Sequence, residues 1–129
     1  MVQVIRPADR DQGTAQTPGM LREAGVCAST TGAEGIWMGV GSNEPGAASG
    51  VHHHGATESA IYILSGRLRF RWGAQLEHSV DAEPGDFVFV PPHEVHAEEN
   101  LSPDTPATFV LARNSSEAIV VPVAHPRSS

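Results

Sequence analysis

"GVHHHGATESAIYILSGRLRFRW", residues 50–72, holds the rhythm that decides the fold. Leu68, Phe70 and Trp72 alternate strictly with Arg67, Arg69 and Arg71. A period of two puts the apolar side chains on one face of an extended strand and the guanidinium groups on the other, so one face meets a core. Just before it, "SAIYILS" is a short apolar run bounded by turn residues, as a second strand would be. If the chain is also extended at residues 52–54, His52 and His54 project side by side from one face and His53 from the other.

The same texture extends in both directions. "AGVCAST", "IWMGVG", "EHSVDA", "DFVFVP", "ATFVLAR" and "AIVVPV" are short apolar runs, and the 13 glycines and 10 prolines are spread between them. No stretch keeps a 3.6-residue apolar period for ten residues, although "TPGMLREAG" has room for about one helical turn. About ten short strands in a chain of 129 residues bury their edges only in a double-sheet or closed structure, so the fold class is all-β, a jelly roll or small β-barrel. The length suits one domain. Residues 1–22 are expected to be an irregular lead-in packed on the barrel or on a partner chain, residues 23–123 the barrel, and residues 124–129 a tail.

Composition narrows the function. Eight basic against fifteen acidic residues give a net charge of −7, which offers no footprint for nucleic acid or an anionic membrane. No apolar run approaches a membrane span, and "MVQVIRPADRDQ" lacks the basic start and apolar centre of a signal peptide, so a cytoplasmic protein is expected. Cys27 is the single cysteine and reads as a small buried hydrophobe. The arginine ladder is expected to meet solvent or to pair with carboxylates of a neighbouring strand, such as Glu77 or Asp81.

The histidines carry the chemistry. Glu58 follows His54 by four residues, past the turn-like "GAT", where a returning chain could bring its carboxylate toward the two imidazoles. Far along the sequence, "GDFVFVPPHEVHAEEN" places His96 just after a proline-marked bend. Two histidines, a carboxylate and a third histidine from another strand form a mixed nitrogen and oxygen set suited to iron, manganese, nickel, zinc or copper.

These two stretches resemble the two motifs of the cupin superfamily. Gly46, His52, His54, Glu58 and Gly66 follow the order of the first motif; Gly85, Pro91, His96 and Asn100 fall on the second. The resemblance implies a small β-barrel, one divalent transition-metal ion per chain and a homodimer, without implying one reaction. Two departures stand out. His93 occupies the glycine position of the second motif, and seven residues rather than six separate Glu58 from Gly66. Counting six back from Gly66 lands on Ser59, which leaves two readings: a site of His52, His54, Glu58 and His96, which is preferred, or a three-histidine site with Glu58 turned away.

Trp37, Ile61, Ile63, Phe70, Phe87 and Phe89 are core candidates, some of which should also wall the substrate pocket, with His93 at its mouth. Tyr62 has the parity of an outward side chain. Glu98 lies two residues from both His96 and Asn100, so on a strand all three share a face, and it is the candidate general base or orienting partner. An ion with three or four protein ligands keeps open positions. The expected function is a mononuclear metal enzyme acting on a small oxygen-bearing molecule, with a non-haem Fe(II) dioxygenase as first choice. A non-redox isomerase, cyclase, lyase or decarboxylase is the alternative, and a non-catalytic binding domain the third.

Overall fold

The computed structural model describes residues 1–13, 18–115 and 119–124. After a 3-10 turn at Pro7–Asp9, the strands follow in chain order: β1 Met20–Val26, β2 Trp37–Asn43, β3 His52–His53, β4 Ser59–Ser65 and β5 Leu68–Trp72. They continue with β6 His78–Ala82, β7 Phe87–Val90, β8 His96–Glu99, β9 Ala107–Arg113 and β10 Val121–Pro122. One short helix, α1 Ala28–Thr31, lies between β1 and β2.

Two five-stranded antiparallel sheets result, ordered β1-β2-β9-β4-β7 and β10-β3-β8-β5-β6. They form a jelly roll whose hydrogen bonding does not run on into a closed barrel. The segment with room for a helical turn is instead strand β1: Met20 and Ala24 are buried while Leu21 is exposed. Pairing with β2 along its length outweighs local helix propensity. The cluster "AGVCAST" splits between β1 and α1, with Cys27 buried at the join.

The expected alternation organises the core. Leu68 and Phe70 from β5, Ile61 and Ile63 from β4, Phe109 and Leu111 from β9, and Trp37 from β2 are buried together between the sheets. On the opposite face of β5 the arginines find cross-strand carboxylates: Arg69 Nε donates to Asp81 at 2.7 Å and Arg71 Nε to Glu99 at 2.7 Å. These half-exposed pairs add little stability and chiefly fix register. Gly66 closes the turn between β4 and β5 at φ 74°, with the backbone of Pro106 and Ala107 packed where a Cβ would stand.

Two expected core residues are instead exposed at the sheet edge, where they line the cavity that reaches His96. Phe87 and Phe89 are 79% and 61% exposed, because Val88 and Val90 take the inward positions of β7. Phe87 packs instead on outward-facing Tyr62, ring centroids 4.7 Å apart. Among the described residues no helix is long and apolar enough to cross a membrane.

Candidate metal centre

Three histidines converge between the sheets. His52 on β3 stands directly opposite His96 on β8 in the antiparallel register, and His54 follows two residues later on the same face. Their ring centroids are 4.4 to 5.1 Å apart, and one ring nitrogen from each lies within 4.8 Å of the others. All three are buried.

Their hydrogen bonds set the tautomer. Nδ1 of His52 lies 2.7 Å from the Gly50 carbonyl, Nδ1 of His54 2.6 Å from that of Ile119, and Nδ1 of His96 2.9 Å from that of Glu94. A carbonyl only accepts, so each Nδ1 carries the proton and each Nε2 presents a lone pair. Burial pushes His54 down to about 3, with the nearby Arg113 charge acting in the same direction, and burial also lowers His52. His52 and His54 are therefore neutral ligands at pH 7. Nε2 of His52 is buried with no hydrogen-bond partner among the described residues, the condition a metal bond would relieve. These residues fit a transition-metal ion, held by three imidazole nitrogens whose orienting hydrogen bonds are already in place.

Glu58 is not brought to them. Its side chain is exposed, and Ser59 takes the inward position at the start of β4, with its hydroxyl buried and without a partner among the described residues. The four-ligand expectation is corrected to a three-histidine cluster, for a reason of parity: adjacent residues of a strand face opposite ways. His93 is exposed, and its ring lies 6.0 Å from that of His53, away from the triad. At φ 59° it adopts the left-handed conformation that the motif glycine would supply, while its N–H donates to the Gly55 carbonyl at 2.7 Å.

Glu98 is where its parity places it, inward and buried two residues from His96. Nη2 of Arg22 lies 3.6 Å from its carboxylate. The third residue of that face, Asn100, donates Nδ2 to the carbonyls of Asn43 and Thr105 and accepts the Ser102 N–H, which makes it a structural clasp.

Sequence reasoning missed two cations. Arg113 ends β9, where it pairs in register with Trp37 on one side and Ser59 on the other, and its guanidinium carbon sits 5.5 Å from the Trp37 ring. It is 3% exposed, and among the described residues neither Nε nor Nη1 has an acceptor. Burial lowers its pKa to about 10, with the Arg22 charge adding to the effect and Glu98 opposing it, so it stays charged. The signal was present in "ATFVLAR": Phe109, Leu111 and Arg113 share one strand face. Arg22 follows the same logic between Met20 and Ala24.

A cavity of about 470 Å³ opens beside this site, where the edge strands β6 and β7 leave the sheets unjoined. Phe70, Trp72, Val88 and Val90 line it down to His96.

The sequence model described as "Cupin domain" matches residues 40–113. Among solved structures, a double-stranded β-helix domain protein from Klebsiella pneumoniae superposes with a TM-score of 0.68 at 19% identity, over 86% of this chain and 90% of that one. An oxalate oxidase superposes at 0.71 with 19% identity, over 88% of this chain and 59% of that one. An oxalate decarboxylase from Bacillus subtilis superposes at 0.72 with 23% identity, over 87% and 30%. The chain thus spans only part of the length of these two enzymes, and at such identities the likeness is one of fold. No curated protein sequence matches.

Proposed function

The chain belongs to the cupin family, and from that premise we propose that it is a mononuclear metal-dependent enzyme, a non-haem Fe(II) dioxygenase acting on a small oxygen-bearing organic molecule. The observation that carries this reading is the convergence of three imidazoles on one point, with each Nδ1 tied to a backbone carbonyl and the Nε2 of His52 without a partner among the described residues. Three nitrogen ligands would leave open positions on an ion, the outline of a catalytic site. That some structural neighbours are an oxidase and a decarboxylase of a small acid supports the class of chemistry.

His52, His54 and His96 would hold the ion, which when bound supplies redox or Lewis-acid activation of a coordinated oxygen ligand. The chain's own side chains do the rest. Phe70 and Trp72 wall the entry and exclude bulk water. Glu98, buried on the strand that carries His96, takes or gives the proton at a carboxylate oxygen, while Arg22 holds the carboxylate in place. This buried proton carrier also suits the second reading, an oxygen-independent isomerase, cyclase, lyase or decarboxylase using zinc, nickel or manganese.

Elemental analysis of tag-free protein never exposed to a nickel column tests the reading, with His96→Ala as control. About one equivalent of metal per chain, lost in the variant, is expected for a single site with three histidine ligands. Oxygen uptake by the Fe(II)-loaded protein with diketones, thiols, catechols and hydroxy acids then selects dioxygenation, and turnover without oxygen selects the alternative. Protein that takes up no added metal refutes both and leaves a binding domain.

A further inference from the structure

The imbalance of charge between the sheets goes beyond the metal site. Arg113 is a buried guanidinium whose Nε and Nη1 have no partner among the described residues, next in register to Ser59, whose buried hydroxyl likewise has none among them. Asn43, at the far end of β2, is buried, and neither of its side-chain polar atoms has a partner among the described residues. Native interiors rarely leave such groups unsatisfied, and an unpaired interior charge is costly enough that it is normally neutralised or paired. Among the described residues, Glu98 is the buried carboxylate available to balance it, and Glu98 is already engaged by Arg22. The triad offers no negative charge, since an imidazole side chain carries none and Glu58 faces solvent. Arg113 lies within electrostatic reach of His54. A divalent ion on the histidines would add positive charge to an interior that already has a cation to spare.

We infer that the substrate is a small carboxylate and that Arg113 is the residue that receives its carboxylate group, with the Ser59 hydroxyl beside it. A carboxylate supplies the acceptor oxygens that Nε and Nη1 lack, and its charge offsets the guanidinium. A neutral alcohol, ketone or thiol supplies less of the first and none of the second. Trp37 flanks the guanidinium and keeps it from folding away. This rests on reading the same interior as the substrate site, but not on the identity of the metal.

Calorimetric titration of the full chain with sodium lactate and sodium malonate, each against its neutral amide, tests the inference on metal-loaded and on metal-stripped protein. The carboxylates are expected to bind about 10- to 100-fold more tightly than lactamide and malonamide, the range of a charge-assisted hydrogen bond. Arg113→Met should remove that preference while leaving the metal stoichiometry intact. Its melting temperature should equal or exceed that of the unaltered protein, since an apolar side chain replaces an unpaired buried charge. Arg113→Lys, which keeps the charge, should retain part of the preference. Carboxylates that bind no better than their amides, that fail to bind at all, or that bind Arg113→Met undiminished would overturn the inference even with metal content at one equivalent. Conversely, an Arg113-dependent carboxylate preference in protein that takes up no metal would overturn the metal-enzyme reading and leave this one standing.

Discussion

Acid should destabilise the metal-free protein through its buried histidines, and the size of the effect can be worked out. His54 is held neutral, its pKa pushed down to about 3, first by burial and then by the Arg113 charge; in the unfolded chain it titrates near its ordinary value of 6.5. Between those values the unfolded state binds a proton that the native state refuses, so stability rises with pH across the window. The contribution is complete above about pH 6.5 and is lost as pH falls toward about 3. At about pH 5, one and a half units below the unfolded value, His54 alone costs about 2 kcal/mol at 1.36 kcal/mol per unit. His52, lowered by the same desolvation, adds to the loss. Asp81, held down by its hydrogen bond from Arg69, loses stability in the same direction only as pH approaches its ordinary 3.8, which leaves the range from pH 7 to 5 to the histidines. Urea unfolding of chelator-treated protein, followed by tryptophan fluorescence at about pH 7, 6 and 5, reads the slope. His54→Gln should flatten it by about 2 kcal/mol over that range. Parallel losses in the unaltered protein and the variant would refute the assignment of a neutral buried His54.

Three further outcomes follow from the same geometry. Glu58→Gln should leave about one equivalent of metal per chain by elemental analysis, since that side chain faces solvent; loss of metal would return the carboxylate to the ligand set. Gly66→Ala should destabilise by about 2–4 kcal/mol in urea unfolding, because a positive φ and the fixed backbone of Pro106 and Ala107 leave no room for a Cβ. Phe87, Phe89 and Met38 form an exposed apolar face on the sheet that carries β4 and β9, and this is the surface through which a homodimer should form. Phe87→Asp should weaken that dimer by about 100-fold in sedimentation velocity, the equivalent of one well-buried Phe, and a wild-type monomer at about 100 μM would sink the proposal.

The legibility of the sequence was uneven for physical reasons. Strand β5 could be read directly because three arginines and three apolar residues alternate, so the pattern itself names the inward face. His52, His54 and His96 were equally plain, since strand parity fixes the pair and the second motif supplies the third. In β7, "FVFV" is apolar at every position, and periodicity carries no information when both faces are hydrophobic; only tertiary packing chose Val88 and Val90 for the interior. Arg113 was overlooked although "ATFVLAR" gave its parity, because a charged residue at a strand end is ordinarily solvated. Residues 20–25 of "TPGMLREAG" went to β1 because a ladder of six residue pairs with β2 decides more than local propensity does.

The slip of one residue between Glu58 and Ser59 has consequences beyond the ligand count. Had the carboxylate faced inward, it would have offset part of the charge of a bound divalent ion, and its attraction for Arg113 would have left the guanidinium little to offer a substrate. With a serine there, the described interior holds Arg22 and Arg113 against Glu98, one positive charge in excess before any ion binds. A divalent ion raises the excess to three, in a space where Coulomb interactions are several-fold stronger than in water. Such an interior is poorly balanced on its own and best balanced with an anion inside. The feature that weakens the metal's protein ligation is thus also the one that prepares the site to accept a negatively charged ligand. The bound ion and the carboxylate should accordingly bind cooperatively, each raising the affinity of the other by the same factor.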